Sequence, residues 1–218
     1  MLPRRALIFL APLSLLAVPL LAVPLIAQMP TEPPGEPNAT RVAAGMYALD
    51  PHHALIGWRV DHLGFSDYFG VFGEASGTLV LDPANPAAAK VDVTIPVAKV
   101  LTASPGLNAH LLRPGKDGAK PDFFGPNPAD ARFVSTSVAP GADGTSATIV
   151  GDLTLNGQTH PVTIAATFKG AGTFPGMKPT VGFQGKATIL RSQWGVSAGI
   201  PLVSDRVELD ISAPFEKQ

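Results

Sequence analysis

Cysteine is absent from all 218 residues, which excludes disulfides, thiolate metal ligands, a cysteine nucleophile and lipid attachment through sulfur. Aromatic residues make up only 7% of the chain and charged residues 15%, with a formal net charge of −1. A balance this weak offers no electrostatic footprint for nucleic acid or an anionic membrane. Convincing helical periodicity is missing from Tyr47 onward. So are a phosphate-binding GxGxxG or P-loop between strand and helix, a GxSxG nucleophile elbow, and histidine spacings that place two imidazoles on one face. Nothing here points to an enzyme, and no cofactor is expected.

One long apolar run is present. Arg4 and Arg5 precede an apolar stretch from Ala6 to Ala27, the charged and hydrophobic regions of a secretory signal, and Ala27 before Gln28 suits cleavage. The stretch is about as long as the ~20 residues a spanning helix needs, so a retained anchor is the alternative; Pro12, Pro19 and Pro24 weaken such a helix. Loss of residues 1–27 removes two arginines and no acid, leaving a net charge of −3. Residues 28–45, rich in Pro, Gly and small polar residues, read as a flexible spacer. Residues 46–218 suit one domain.

Short segments of alternating polarity, punctuated by Gly, Pro, Asn and Asp, fill that domain. "LIGWRVDH" places Ile56, Trp58, Val60 and His62 on one face, and "KVDVTIPV" sets Val93 and Ile95 opposite Asp92 and Thr94. Asn156-Gly157 between two such runs is a strong hairpin signal. Roughly eight strands, mostly antiparallel neighbours, either stack as two sheets or close into a barrel. Inward positions mix rings with Gly and Ala, as if the interior were lined and not filled, which leans to a barrel.

The exception is residues 102–132, a connection of unusual length. Its apolar Leu107, Leu111, Phe123 and Phe124 argue against disorder, and "SPGLNAHLL" can form one or two helical turns. The expectation is a cover over one end of the barrel, with Phe123 and Phe124 either touching ligand or sealing the core. His52, His53, His62 and His110 read as structural groups or head-group contacts and not as a metal site, and His160 reads as surface. Arg191 and Arg206 are candidates to clamp a polar head group, against solvated strand ends.

The ordered series Tyr47, Asp50, His53 and His62; Gly70, Phe72 and Gly77; Thr102, His110 and "DFF" at Asp122 to Phe124; Phe133, Ser135 and Thr136; "VGDLTLNGQT"; and Arg191, Trp194 and Gly195 resembles the YceI-like family. Ala54 and Ala75 depart from its pattern, as does the inserted "LRPGKDGAKP". The resemblance implies an all-β fold: a single antiparallel lipocalin-like β-barrel of about eight strands, exported to the periplasm, with a polyisoprenoid or isoprenoid quinone as ligand. The expected lining of a long apolar slot is Ile56, Trp58, Val60, Phe72, Val93, Ile95, Phe133, Phe168, Phe183 and Trp194, with His62 as a polar contact and Phe123 and Phe124 above. A filled barrel serving as an interaction module is the alternative. A membrane-protein partner and a homodimer stay open.

Overall fold

The structure, a computed structural model, describes residues 31–218; the expected signal segment and its cleavage point after Ala27 lie outside the described residues. Eleven strands follow in order: β1 Gly45–Leu49, β2 Leu55–His62, β3 Ser66–Phe72, β4 Ser76–Leu81, β5 Lys90–Ile95, β6 Val100–Thr102, β7 Ala131–Pro140, β8 Ser146–Leu155, β9 Gln158–Gly172, β10 Thr180–Leu190 and β11 Arg206–Lys217. Among the described residues one α-helix, the seven-residue α1 Pro105–Leu111, follows β6.

Eight strands form the barrel, in the order β1-β4-β5-β7-β8-β9-β10-β11, closed by antiparallel pairing of β1 with β11. All pairings are antiparallel, because the chain turns back after each strand. The long β11 divides its free side: Phe215 to Lys217 pair with β1, and Ser212 to Glu208 pair with β2. From β2 the sheet runs on to β3 and ends at β6. Closure is what leaves a sheet without exposed edges; the short β6 keeps one at the end of the extension.

The Asn156-Gly157 turn between β8 and β9 has φ of 52° and 76°. Positive φ at both central residues is the geometry that matches strand twist in a two-residue hairpin. Asn156 also donates from Nδ2 to the carbonyl of Trp194 at 3.0 Å, tying this turn to the far end of the barrel.

That end is plugged. Trp194 is completely buried, and its Nε1 donates to the Leu153 carbonyl at 3.0 Å. His160, read as surface, is half-buried with its ring 5.2 Å from that of Trp194 and nearly perpendicular to it. Arg191 is buried as well; it donates to the carbonyls of Ser204, Val196 and Val203, each at 2.9 Å. All three guanidinium nitrogens are thereby occupied by backbone, so Arg191 staples the 191–206 connection and does not reach a head group. Burial lowers its pKa, while Asp205 nearby opposes the shift.

On the flank, α1 begins with Ser104 accepting from the Leu107 N–H and Pro105 in the first turn, the arrangement that suits a helix start. Phe124 packs on the lower core, edge-on to Phe72 with ring centroids 5.9 Å apart. Phe123 lies outside it against His110 at 5.2 Å. The two neighbours therefore split: one seals the core and the other shields the seal.

Asp122 fixes this cover. It accepts from Arg113, inside the inserted "LRPGKDGAKP", at 2.7 Å and lies 3.0 Å from His110 Nε2. The Arg113 hydrogen bond, then that of His110, hold the Asp122 carboxyl below the usual range, against a small opposing effect of burial. A carboxyl depressed in the folded state stabilises it above the unfolded value near 3.9 and loses that effect as pH falls through the folded value. Asp122→Asn should therefore speed hydrogen exchange of the α1 amides at pH 7, by a factor that shrinks as acid protonates the wild-type carboxyl. An acceleration that stays the same through acid titration would contradict the ionic origin.

Within the expected spacer, residues 28–45, the described part carries specific contacts. Glu36 exchanges two backbone hydrogen bonds with Ala171, at 3.1 and 2.8 Å. Pairing is available there because β8 stops at Ser146 and leaves the end of β9 without a neighbour. Composition alone hides this, since a backbone pairing requires no particular side chain.

Candidate functional site: an apolar cavity in one half of the barrel

Two buried clusters divide the interior. The far half holds Trp194, Phe133, Leu153, Val162, Ile189 and Val207, with Trp58, Val60, Phe72 and Phe124 packed against them. The other half is built around Tyr47, Leu49, Leu79, Val181 and Phe215. A cavity of about 290 Å³ opens in this second half. Its inward positions explain the space. On β9 and β10 the wall carries Ala166 and Gly185, and on β11 it carries Ala213. A Cβ on Gly185 would come within 3.0 Å of Ile164 and 3.4 Å of Ile211. Where the far half uses indole and phenyl rings to fill the ring of strands, these small residues leave a void.

The mouth lies between the β4–β5 connection, with Pro83 and Pro86, and the β7–β8 turn, with Pro140 and Gly144; Ala39 and Val42 complete the wall. Phe168, Phe183 and Phe215 form an aromatic ladder, at 5.7 and 6.3 Å between successive rings. Among the described residues no Asp, Glu, His, Lys or Arg lines the cavity; the polar side chains on it are Thr145, Ser146, Gln184 and Ser212. Such a wall stabilises an uncharged guest, because an ionised group taken from water would find no partner.

Six of the sequence-derived lining residues meet here: Ile56, Val93, Ile95, Phe133, Phe168 and Phe183. Trp58, Val60, Phe72, Phe124 and Trp194 are brought together with one another in the packed half and take no part in the cavity wall. Their alternation is right for inward residues, yet it carries no information on height along the barrel. The Trp58 ring lies over Gly70, with its Nε1 buried and without a hydrogen-bond partner. His62 ends β2, exposed, where the strand leaves the barrel. Phe123 stays on the outer cover. The structure thus replaces a slot running the length of the barrel by a cavity in one half. Sequence reading missed Ala39, Val42 and the rim prolines, which lie on connections without strand periodicity.

Near the wall, Asp50 organises the β1–β2 turn. Its carboxylate accepts the His52 N–H at 2.9 Å and lies 2.5 Å from His53 Nδ1. Burial raises its pKa, but these hydrogen bonds outweigh it and the net shift is downward. The turn delivers buried Ala54 to the cavity wall. Tyr47, also buried, donates from its hydroxyl to the Ala43 carbonyl at 2.5 Å.

A family model described as a YceI-like domain matches residues 47–215, nearly the whole barrel. The chain belongs to the YceI-like family. A UPF0312 protein of Pseudomonas paraeruginosa is 40% identical over 184 residues, covering 83% of this chain and 91% of the relative. A UPF0312 protein of Pseudomonas fluorescens is 37% identical over 180 residues, covering 80% and 88%. Among solved structures, BcnA of Burkholderia cenocepacia matches with a TM-score of 0.61 at 25% identity, over 76% of this chain and 98% of that one. A polyisoprenoid binding domain from Saccharophagus degradans, implicated in plant cell wall breakdown, matches at 0.55 over 81% and 100%; at 12% identity it shows the fold alone.

Within the YceI-like pattern, Tyr47, Asp50, His53, Arg191 and Trp194 serve the framework: each is held by backbone or by its neighbours in the turn, and none of them lines the cavity. Of the two alanines that depart from the pattern, Ala54 lies on the cavity wall.

Proposed function

We propose that this protein is an exported, non-enzymatic carrier that takes an uncharged isoprenoid, such as a polyisoprenoid or an isoprenoid quinone, into the barrel. The observation that carries the reading is the cavity of about 290 Å³ with no ionisable side chain on its wall among the described residues. Its mechanism is shielding: the tail leaves water inside the barrel while the head group stays at the mouth, near Thr145 and Ser146. The polyisoprenoid-binding domain that shares the fold supports the ligand class. Export to the periplasm is supported by the apolar N-terminal segment after Arg4 and Arg5.

Size limits the guest. At roughly 30 Å³ per water-sized group, the cavity accepts about ten carbons, on the order of two isoprene units. Burial at about 0.8 kcal/mol per methylene gives roughly 8 kcal/mol for that length, before the costs of association. That gross gain sets a ceiling of about micromolar affinity for this length of chain, which the costs of association weaken further. A longer tail is held by one end.

Native mass spectrometry of protein purified from its own host, followed by organic extraction, tests the reading. The expected result is one neutral prenyl lipid per chain, with delipidated protein taking up a prenyl quinone but not a fatty acid anion. Delipidated protein that takes up neither, or takes up the anion equally well, would overturn it.

A second reading, an interaction module for a membrane protein or a second copy, is favoured by one observation. Phe65, at 89% exposed, stands with exposed Leu63, Phe69, Leu101 and Leu202 near the β2–β3 turn. That surface lies away from the cavity, so the two readings are compatible.

A further inference from the structure

We infer that residues 34–44 form a gating strap across the cavity mouth, so that entry and exit of the guest depend on release of this segment; the inference rests on the carrier reading above. The strap leaves β9 at the Glu36–Ala171 pairing and arrives at β1. In the ring of strands these anchors are separated by β10 and β11, so the segment cuts across the opening as a chord. Along the way it places Ala39 and Val42 on the cavity wall opposite the rim prolines.

β9 is shaped to receive it. A Cβ on Gly170 would come within 3.1 Å of the Glu36 backbone, and one on Gly172 would overlap the Pro34 carbonyl. Neither glycine has a φ in the left-handed region, so close backbone approach, and not backbone conformation, is what excludes a side chain there. Apart from the Glu36–Ala171 pairing and the buried Tyr47 hydroxyl on the Ala43 carbonyl, the strap's fastenings are light and exposed. Arg41 pairs with Glu36 at 2.8 Å and donates to the Pro34 carbonyl at 3.3 Å, and Asn38 caps the turn at Ala39–Arg41. Val42 is the segment's only contribution to the core clusters. Exposed ion pairs of this kind contribute little to stability. A segment so held opens far more often than the barrel unfolds.

The absence of cysteine permits a clean lock. Hydrogen-bonded antiparallel partners stand about 5.5 Å apart at Cα, within disulfide range, so Glu36→Cys with Ala171→Cys fixes the strap when oxidised. Gly172→Val displaces it without adding to the cavity wall. Stopped-flow uptake and release of a short-chain prenyl benzoquinone, read by tryptophan quenching, should be at least tenfold slower in the oxidised pair and recover on reduction. Gly172→Val should accelerate both steps several-fold, and the amount bound at saturation should stay the same. Equal rates in oxidised and reduced protein would overturn the gate while leaving the carrier reading intact. Failure of the wild type, the reduced pair and Gly172→Val alike to bind would overturn both.

Discussion

Ala166→Phe should abolish ligand loading while leaving the barrel folded. Ala166 points inward from β9 beside Gly185, where the wall is made of small residues. A phenyl group there occupies a large share of about 290 Å³. Losing half of the buried chain removes roughly 4 kcal/mol at 0.8 kcal/mol per methylene, about a thousandfold in affinity. Because the new ring fills an existing void, it escapes most of the cost of overpacking a dense core. The same change at Ala187, two positions along β10 from Gly185, the register partner of Ala166, meets the packed half against Trp194 and Ile189 and should destabilise the fold instead. Thermal denaturation and titration with a prenyl quinone on the two variants check this. Unchanged affinity in Ala166→Phe would remove the cavity from the account.

Trp194→Ala should produce the largest loss of stability of any single substitution in the barrel. The indole is completely buried in the far cluster, its Nε1 holds the Leu153 carbonyl, and its own carbonyl accepts from Asn156. Truncating a buried Trp costs about 3–5 kcal/mol, a large part of the ~5–15 kcal/mol that holds a domain together. For this size of domain the melting temperature should fall by roughly 6–20 °C. Trp58→Ala, which breaks no hydrogen bond, should cost less. If Trp58→Ala proved the more damaging, the assignment of Trp194 as the plug would be wrong.

The contrast between these residues shows how far the sequence can be read. Period-two alternation sets the inward face, so β2, β5 and β7 to β11 are legible, and the Asn156-Gly157 turn names its own geometry. Height along the barrel is another matter. Ile56 and Trp58 alternate alike on β2, yet Ile56 lines the cavity and Trp58 packs beneath it. The divide depends on which rings meet across the barrel, a non-local fact. Phe123 and Phe124 were legible as a cover, but their division of labour follows from the path of the inserted loop. The strap was illegible because proline and glycine at 33–35 suggest flexibility, whereas its anchor is backbone pairing with a strand some 135 residues later in the sequence.

The most direct test of the account is intermolecular NMR contact between a geranyl-chain benzoquinone and methyl-labelled protein. The account predicts contacts from the prenyl methyls to Ile56, Ile164 and Ile211, and none to Val60 or Val207 in the packed half. Contacts confined to the outer surface, or spread equally through both halves, would contradict it.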